Sequence, residues 1–123
     1  MILVDTSIWI DHLRAGNERL SALLVAGQVL SHPFVIGELA LGNLVHRTAV
    51  IGAMQDLPQI RLATEAEVLH AIITRHWYGQ GIGYTDAHLL AAALLTPGSS
   101  LWTHDKRLHA AASRLGVADN ISH

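Results

Sequence analysis

Apolar residues fall along this chain in short unbroken runs and in helical stripes, with little strict alternation. Ile2-Leu3-Val4 is one such run, the pattern of a short strand buried on both faces. It ends on Asp5. Thr6 and Ser7 then offer helix N-caps before apolar positions return at Ile8, Trp9 and Leu13, which predicts an amphipathic helix. Gly16-Asn17 breaks that helix, and Asn17 caps a second one reaching Gly27, with Leu20, Leu23 and Leu24 on one face. Gln28 to Ser31 reads as a second strand, and Pro33 suits the first turn of a third helix running to about Val45. A further helix, His46 to Leu57, stops at Pro58, and Gln59 to Leu62 reads as a third strand. Thr64 and Glu67 form a capping box that opens a helix to about Tyr78. The glycine loop from Gly79 to Gly83 leads through Thr85 and Asp86 into an apolar helix, Ala87 to Leu95, closed by Pro97-Gly98. Ser100 to Thr103 is the fourth predicted strand, and a helix runs from Lys106 to Leu115. Gly116-Val117 and the tail add a short fifth strand. Helices alternating with short apolar strands imply an α/β fold, a parallel sheet covered by helices on both faces. Residues 1–123 read as one domain, without repeats or linkers.

Composition narrows the function classes. Hydrophobic residues make up 50% and charged residues 15%, below the usual quarter or so. So little charge on a small domain implies apolar surface covered by another chain. The absence of cysteine excludes disulfides and thiolate metal sites. The longest apolar run, Leu89 to Leu95, is too short to span a bilayer, and no basic region precedes the first apolar residues, so the expected location is cytoplasmic. The formal net charge is −2. That balance does not hold nucleic acid by bulk electrostatics; action on nucleic acid would go through a metal and a few placed cations.

Four acidic residues stand apart from the others. Asp5 and Asp105 follow apolar strands, Glu38 lies within an apolar helix, and Asp86 opens another apolar helix. Capping accounts for Glu65 and Glu67, and a first-turn Asp such as Asp86 is also a favourable dipole partner. In a doubly wound sheet, however, all four can converge at the carboxyl end, near the switch in strand order. Carboxylates ~6 Å apart repel by roughly 2.8 kcal/mol per pair at an effective dielectric of ~20, so such a cluster calls for a cation. An all-carboxylate site suits a hard divalent ion, Mg²⁺ or Mn²⁺, able to activate water beside a phosphodiester. Lys106 and Arg107 open their helix, where the dipole disfavours them, which makes them candidates to steady a phosphodiester backbone. The three glycines before Tyr84 fit neither the dinucleotide fingerprint nor the P-loop. Nine histidines form no His-Glu-x-x-His motif. His104, next to Asp105, is the one placed to touch substrate. His88, two residues after Asp86, should point away from it, and His12, His32, His46, His70, His76, His109 and His123 read as structural or solvent-facing.

The segments Val4-Asp5-Thr6-Ser7, Gly37-Glu38-Leu39, Tyr84-Thr85-Asp86-Ala87 and Trp102-Thr103-His104-Asp105 occur in an order and spacing that resemble a PIN-domain ribonuclease of the VapC type, the toxin half of a bacterial toxin–antitoxin pair. The resemblance spans nearly the whole length. It implies a three-layer α/β/α PIN-like fold with a central parallel sheet and endonucleolytic RNA cleavage dependent on Mg²⁺ or Mn²⁺. Asp5, Glu38, Asp86 and Asp105 match the family's catalytic and metal-holding acids, with Thr6, Ser7 and Thr103 its supporting hydroxyls. It also implies a VapB-type antitoxin covering the groove, an RNA substrate, a homodimer, and operator DNA reached only through the antitoxin. The alternatives are a metal-dependent phosphatase and a non-catalytic partner-binding module on the same fold. A dehalogenase-like phosphatase would want an acid where Ser7 stands, and a receiver domain would want extra acids before its strand-end Asp and a late Lys; neither pattern is in place.

Overall fold

The computed structural model describes residues 1–119. Its elements are β1 (Ile2–Val4), α1 (Thr6–Ala15), α2 (Glu18–Val25), β2 (Val29–Leu30), α3 (Pro33–Leu41), α4 (Arg47–Gln55), α5 (Glu65–Thr74), α6 (Tyr84–Leu95), β3 (Ser100–Trp102) and α7 (Lys106–Arg114). The strands are parallel in the order β2-β1-β3, with Leu3 paired to Leu30 on one side and to Leu101 on the other. Single parallel bridges, Ser31 to Gln59 and Leu101 to Ala118, extend the sheet beyond β2 and β3. Leu3, Val4, Leu101 and Trp102 are fully or almost fully buried, as strands covered on both faces must be. The chain steps from β1 to β2 on one side and later crosses back past β1 to β3 on the other, so right-handed connections place helices on both faces of a three-layer α/β/α fold. The order reverses between β1 and β3, which puts the crevice of a doubly wound sheet at their carboxyl ends. Helices α1, α3 and α7 start where strands end, and α6 runs back toward the start of β3. The N-termini of all four therefore face that crevice.

Element edges differ from expectation for local reasons. The third strand shrinks to one bridge at Gln59, because only Pro58 and Ile60 bond to Ser31, while Leu62 turns to solvent. Helix α3 ends at Leu41 instead of about Val45: Gly42 is extended and its N–H turns back to the Leu39 carbonyl. Helix α5 stops at Thr74, with His76 left-handed (φ 58°) shortly beyond. Helix α6 starts three residues early, at Tyr84, because Gly83 and Asp86 close a capping interaction there. The expected fifth strand at Gly116-Val117 is reduced to a single bridge at Ala118, flanked by bonds of Val117 and Asp119 to Leu101, and residues 120–123, His123 among them, lie outside the described residues. Among the described residues no helix is long and apolar enough to cross a membrane.

Candidate active site

Asp5 is delivered to the crevice by β1 and held there from three directions. Its backbone is extended (φ −70°, ψ 157°), so it serves as the N-cap of α1, with Oδ1 accepting from the Thr6 N–H at 2.8 Å. Its Oδ2 accepts from the Ser7 hydroxyl at 3.0 Å and from the Thr103 hydroxyl at 2.7 Å. The backbone Asp5 N–H donates to the Trp102 carbonyl at 2.9 Å, so the contact crosses the strand switch between β1 and β3. At 7% exposure this carboxylate cannot turn freely. The hydroxyls of Ser7 and Thr103 meet it there without adding charge.

Asp105 follows β3 as Asp5 follows β1. Its Oδ1 accepts from the Arg107 and Leu108 N–H groups, capping α7, and its own N–H donates to Thr103 Oγ1 at 3.0 Å. Thr103 thus connects the two strand-end acids. Glu38, from α3, accepts a 2.7 Å hydrogen bond from the Thr6 hydroxyl, one residue beyond Asp5. The apolar run around Glu38 suggested a buried carboxylate, but it is exposed, since this face of α3 lines the crevice instead of the core. Asp86 Oδ2 accepts from the Gly83 N–H at 3.0 Å.

The electrostatics of Asp86 report convergence. Burial pushes its carboxyl up from the ordinary value, and the Gly83 N–H partly offsets this. The negative charges of Asp5, Asp105 and Glu38 then raise it further. Four acids from four separate segments share one field. Among the described residues, no three His, Asp or Glu side chains stand close enough to enclose an ion directly. An all-oxygen donor set of this kind fits Mg²⁺, which keeps several waters and takes one or two carboxylates. Four helix N-termini pointing at the same crevice add positive potential that eases the repulsion among the acids.

The other expected site residues divide. Thr6, Ser7 and Thr103 all bond directly to Asp5, Glu38 or Asp105. The His104 N–H donates to Ser7 Oγ, but its ring turns away to Asp11, Nε2 to Oδ2 at 3.1 Å. Arg107 lies over Gly81, whose missing Cβ makes room for it: a methyl there would sit 2.5 Å from Nη1 and 2.6 Å from Cδ. Arg114 bonds Gln80 in the same loop. So α7 holds the glycine loop that in turn holds Asp86. Lys106 is exposed beside Asp105. The Gly83 N–H and the ring stack of Tyr84 and His88 are contacts at the site that the sequence did not announce, apart from the i, i+4 spacing of the two rings on α6.

A family model, the PIN domain, matches residues 2–114. Ribonuclease VapC32 from each of two strains of Mycobacterium tuberculosis is 48% identical over 118 residues, covering 96% of this chain and 95% of the relative. The chain is a VapC-type PIN domain. In this VapC-type domain the carboxyl-end crevice is where Asp86 feels the charges of Asp5, Asp105 and Glu38, and an apolar groove of about 780 Å³ is lined in part by Glu38. Ile10, Leu13, Leu39, Leu44 and Val45 line the groove, and Glu38 stands where it reaches the crevice.

Proposed function

We propose that this single-domain protein is the toxin of a VapBC-type pair, an endoribonuclease dependent on Mg²⁺ or Mn²⁺. The observation that carries the reading is the gathering of acids from four segments at one end of the sheet, where Thr103 bonds both Asp5 and Asp105, Thr6 ties Glu38 beside Asp5, and Asp86 feels the charge of the other three. Nothing in folding alone requires that concentration of negative charge. Asp5, Glu38, Asp86 and Asp105 are the residues that would hold the cation. When bound, the cation supplies charge to offset the phosphodiester and lowers the pKa of a water for attack on phosphorus. Asp5 is pinned by Ser7 and Thr103 so that its oxygens keep one orientation. Thr6 sets Glu38, and Gly83 sets Asp86. Thr103, through the Asp105 N–H, keeps the two strand-end acids in register. Lys106 is free to meet the RNA backbone, whereas Arg107 first holds the glycine loop.

The relatives' name carries a partner with it, and the groove supports one. Its apolar lining and the acids at its end suit an amphipathic segment of a VapB-type antitoxin ending in a cation. Operator DNA would then be reached through the antitoxin alone. A homodimer and a cytoplasmic location belong to the same reading. The deciding experiment is cleavage of a total small-RNA pool by antitoxin-free protein with Mg²⁺ or Mn²⁺, against chelator and against Asp5→Asn. Discrete cuts that need both metal and Asp5, leaving 5′-phosphate and 3′-hydroxyl ends, are expected. Products ending in a 2′,3′-cyclic phosphate would overturn the metal-assisted route.

A further inference from the structure

Beside the acids, at the same end of the sheet, stands a row of four rings. Tyr84 meets His88 edge to face, with centroids 4.6 Å apart and an interplanar angle of 83°. His88 tilts against Phe34 at 4.5 Å, and Phe34 meets His32 edge on at 5.2 Å. The row joins the first turns of α3 and α6, the two helices that carry Glu38 and Asp86. Phe34 and Glu38 are four apart on α3 and so share a face one turn apart. The two histidines are buried, at 2% and 4% exposure, and hold the row together. The two outer rings are not: Tyr84 is 53% exposed and Phe34 37%. Rings that served only to cover the histidines would be expected to turn inward.

The charge balance says why such rings matter. With 8 Lys and Arg against 10 Asp and Glu, bulk charge offers the backbone of an RNA strand little attraction. Base stacking on aromatic rings is the other large source of affinity for an unpaired strand, and it does not depend on charge. We infer that Tyr84 and Phe34 form a stacking platform for an unpaired base next to the scissile phosphodiester, so that these two rings position the strand over the acids. The inference rests on the RNA-cleaving reading above. It makes Tyr84 and Phe34 substrate-binding residues and His88 the spacer that sets them.

The test is equilibrium binding in chelator, where the strand should stay intact. The probes are a short unpaired RNA of mixed sequence and an abasic ribose-phosphate strand of the same length and charge. Wild-type protein should prefer the strand with bases. Tyr84→Leu and Phe34→Leu should each bind it about tenfold more weakly, equivalent to about 1.4 kcal/mol and in the range for one stacked base, with the abasic strand unaffected. Tyr84→Phe should restore wild-type binding, which a role for the hydroxyl would not predict. Equal affinity of the wild type for the two strands, or Leu variants that bind both like the wild type, would overturn the platform. If either Leu variant fails to fold, the wild-type comparison of the two strands decides alone. Cleavage of the small-RNA pool, run in parallel, separates the two failures. A wild type that cuts but ignores bases loses only the platform; one that neither binds nor cuts loses the ribonuclease reading as well.

Discussion

Asp5 uses one carboxylate oxygen to cap α1 and the other to accept from two hydroxyls, so its charge is answered on every side. Asp86 has one backbone N–H and three negative neighbours. These two residues should therefore respond differently to loss of charge. Asp5→Asn is expected to cut cleavage by roughly a hundredfold or more, since it misaligns the acid with most partners. Asp86→Asn should also abolish cleavage, yet raise the melting temperature of metal-free protein, because the amide oxygen keeps the Gly83 bond while the repulsion goes. Thermal melts of both variants in chelator check this. In the wild type, the folded-state pKa of Asp86 lies above its unfolded value, so this group destabilises the fold at neutral pH. Its contribution improves as pH falls from the folded pKa to the ordinary carboxylate value, where the folded state binds the extra proton. Mg²⁺ should remove that slope by satisfying the charge.

At the scale of elements, the loop before α6 depends on α7 as much as on its own glycines. Gly81 is left-handed at φ +75° and leaves no space between its Cα and the Arg107 side chain. Gly81→Ala should cost about 1–2 kcal/mol from the backbone alone, and more from displacing Arg107. In an Arg107→Ala background the same change should cost less, and a double-mutant cycle in urea measures the difference. Loss of activity beyond loss of stability would mean that the loop sets Asp86. By contrast, Thr64→Ala removes a capping box that shares no hydrogen bond with the four acids among the described residues, one in which Thr64 and Glu67 bond each other's backbone N–H groups. It should lower stability by about 1 kcal/mol and leave cleavage per folded molecule unchanged. Helix starts of this type were legible because the capping residue and its partner sit three apart in sequence. Helix ends were less so: α3 and α5 stop where Gly42 and His76 change the backbone direction, which composition alone does not announce.

For the whole molecule, acid stability combines opposed groups. His32 caps α3, with Nδ1 accepting from the Phe34 N–H, and burial together with nearby His88 lowers its pKa from 6.5 to about 4. Its folded pKa is depressed, so its stabilising contribution is fully present above pH 6.5 and lost as pH falls toward about 4. Asp86 acts with the opposite sign in acid. His32→Asn keeps a side-chain oxygen for the cap and should flatten the acid loss of stability between those limits. Melting temperatures across pH 4 to 7 for His32→Asn and Asp86→Asn would separate the two contributions.

The sequence by itself determined the parts that depend on neighbours in the chain. A two-face apolar strand had to be buried in a parallel sheet, its following acid had to fall at the carboxyl end, and hydroxyls one and two residues on had to stand beside it. The motif spacing also pointed to the four acids, because each sits at the start of a helix or within an apolar one. Tertiary structure decided what depends on residues far apart. Thr103 reaches Asp5 because β3 pairs with β1 across the strand switch. Glu38 is exposed because α3 turns that face to the crevice, although its run of apolar neighbours suggests burial. The His104 ring went to Asp11 because α1 passes there, and Arg107 went to Gly81 because only a glycine leaves room. Local pattern fixes which groups a segment can offer; only packing fixes which of them meet.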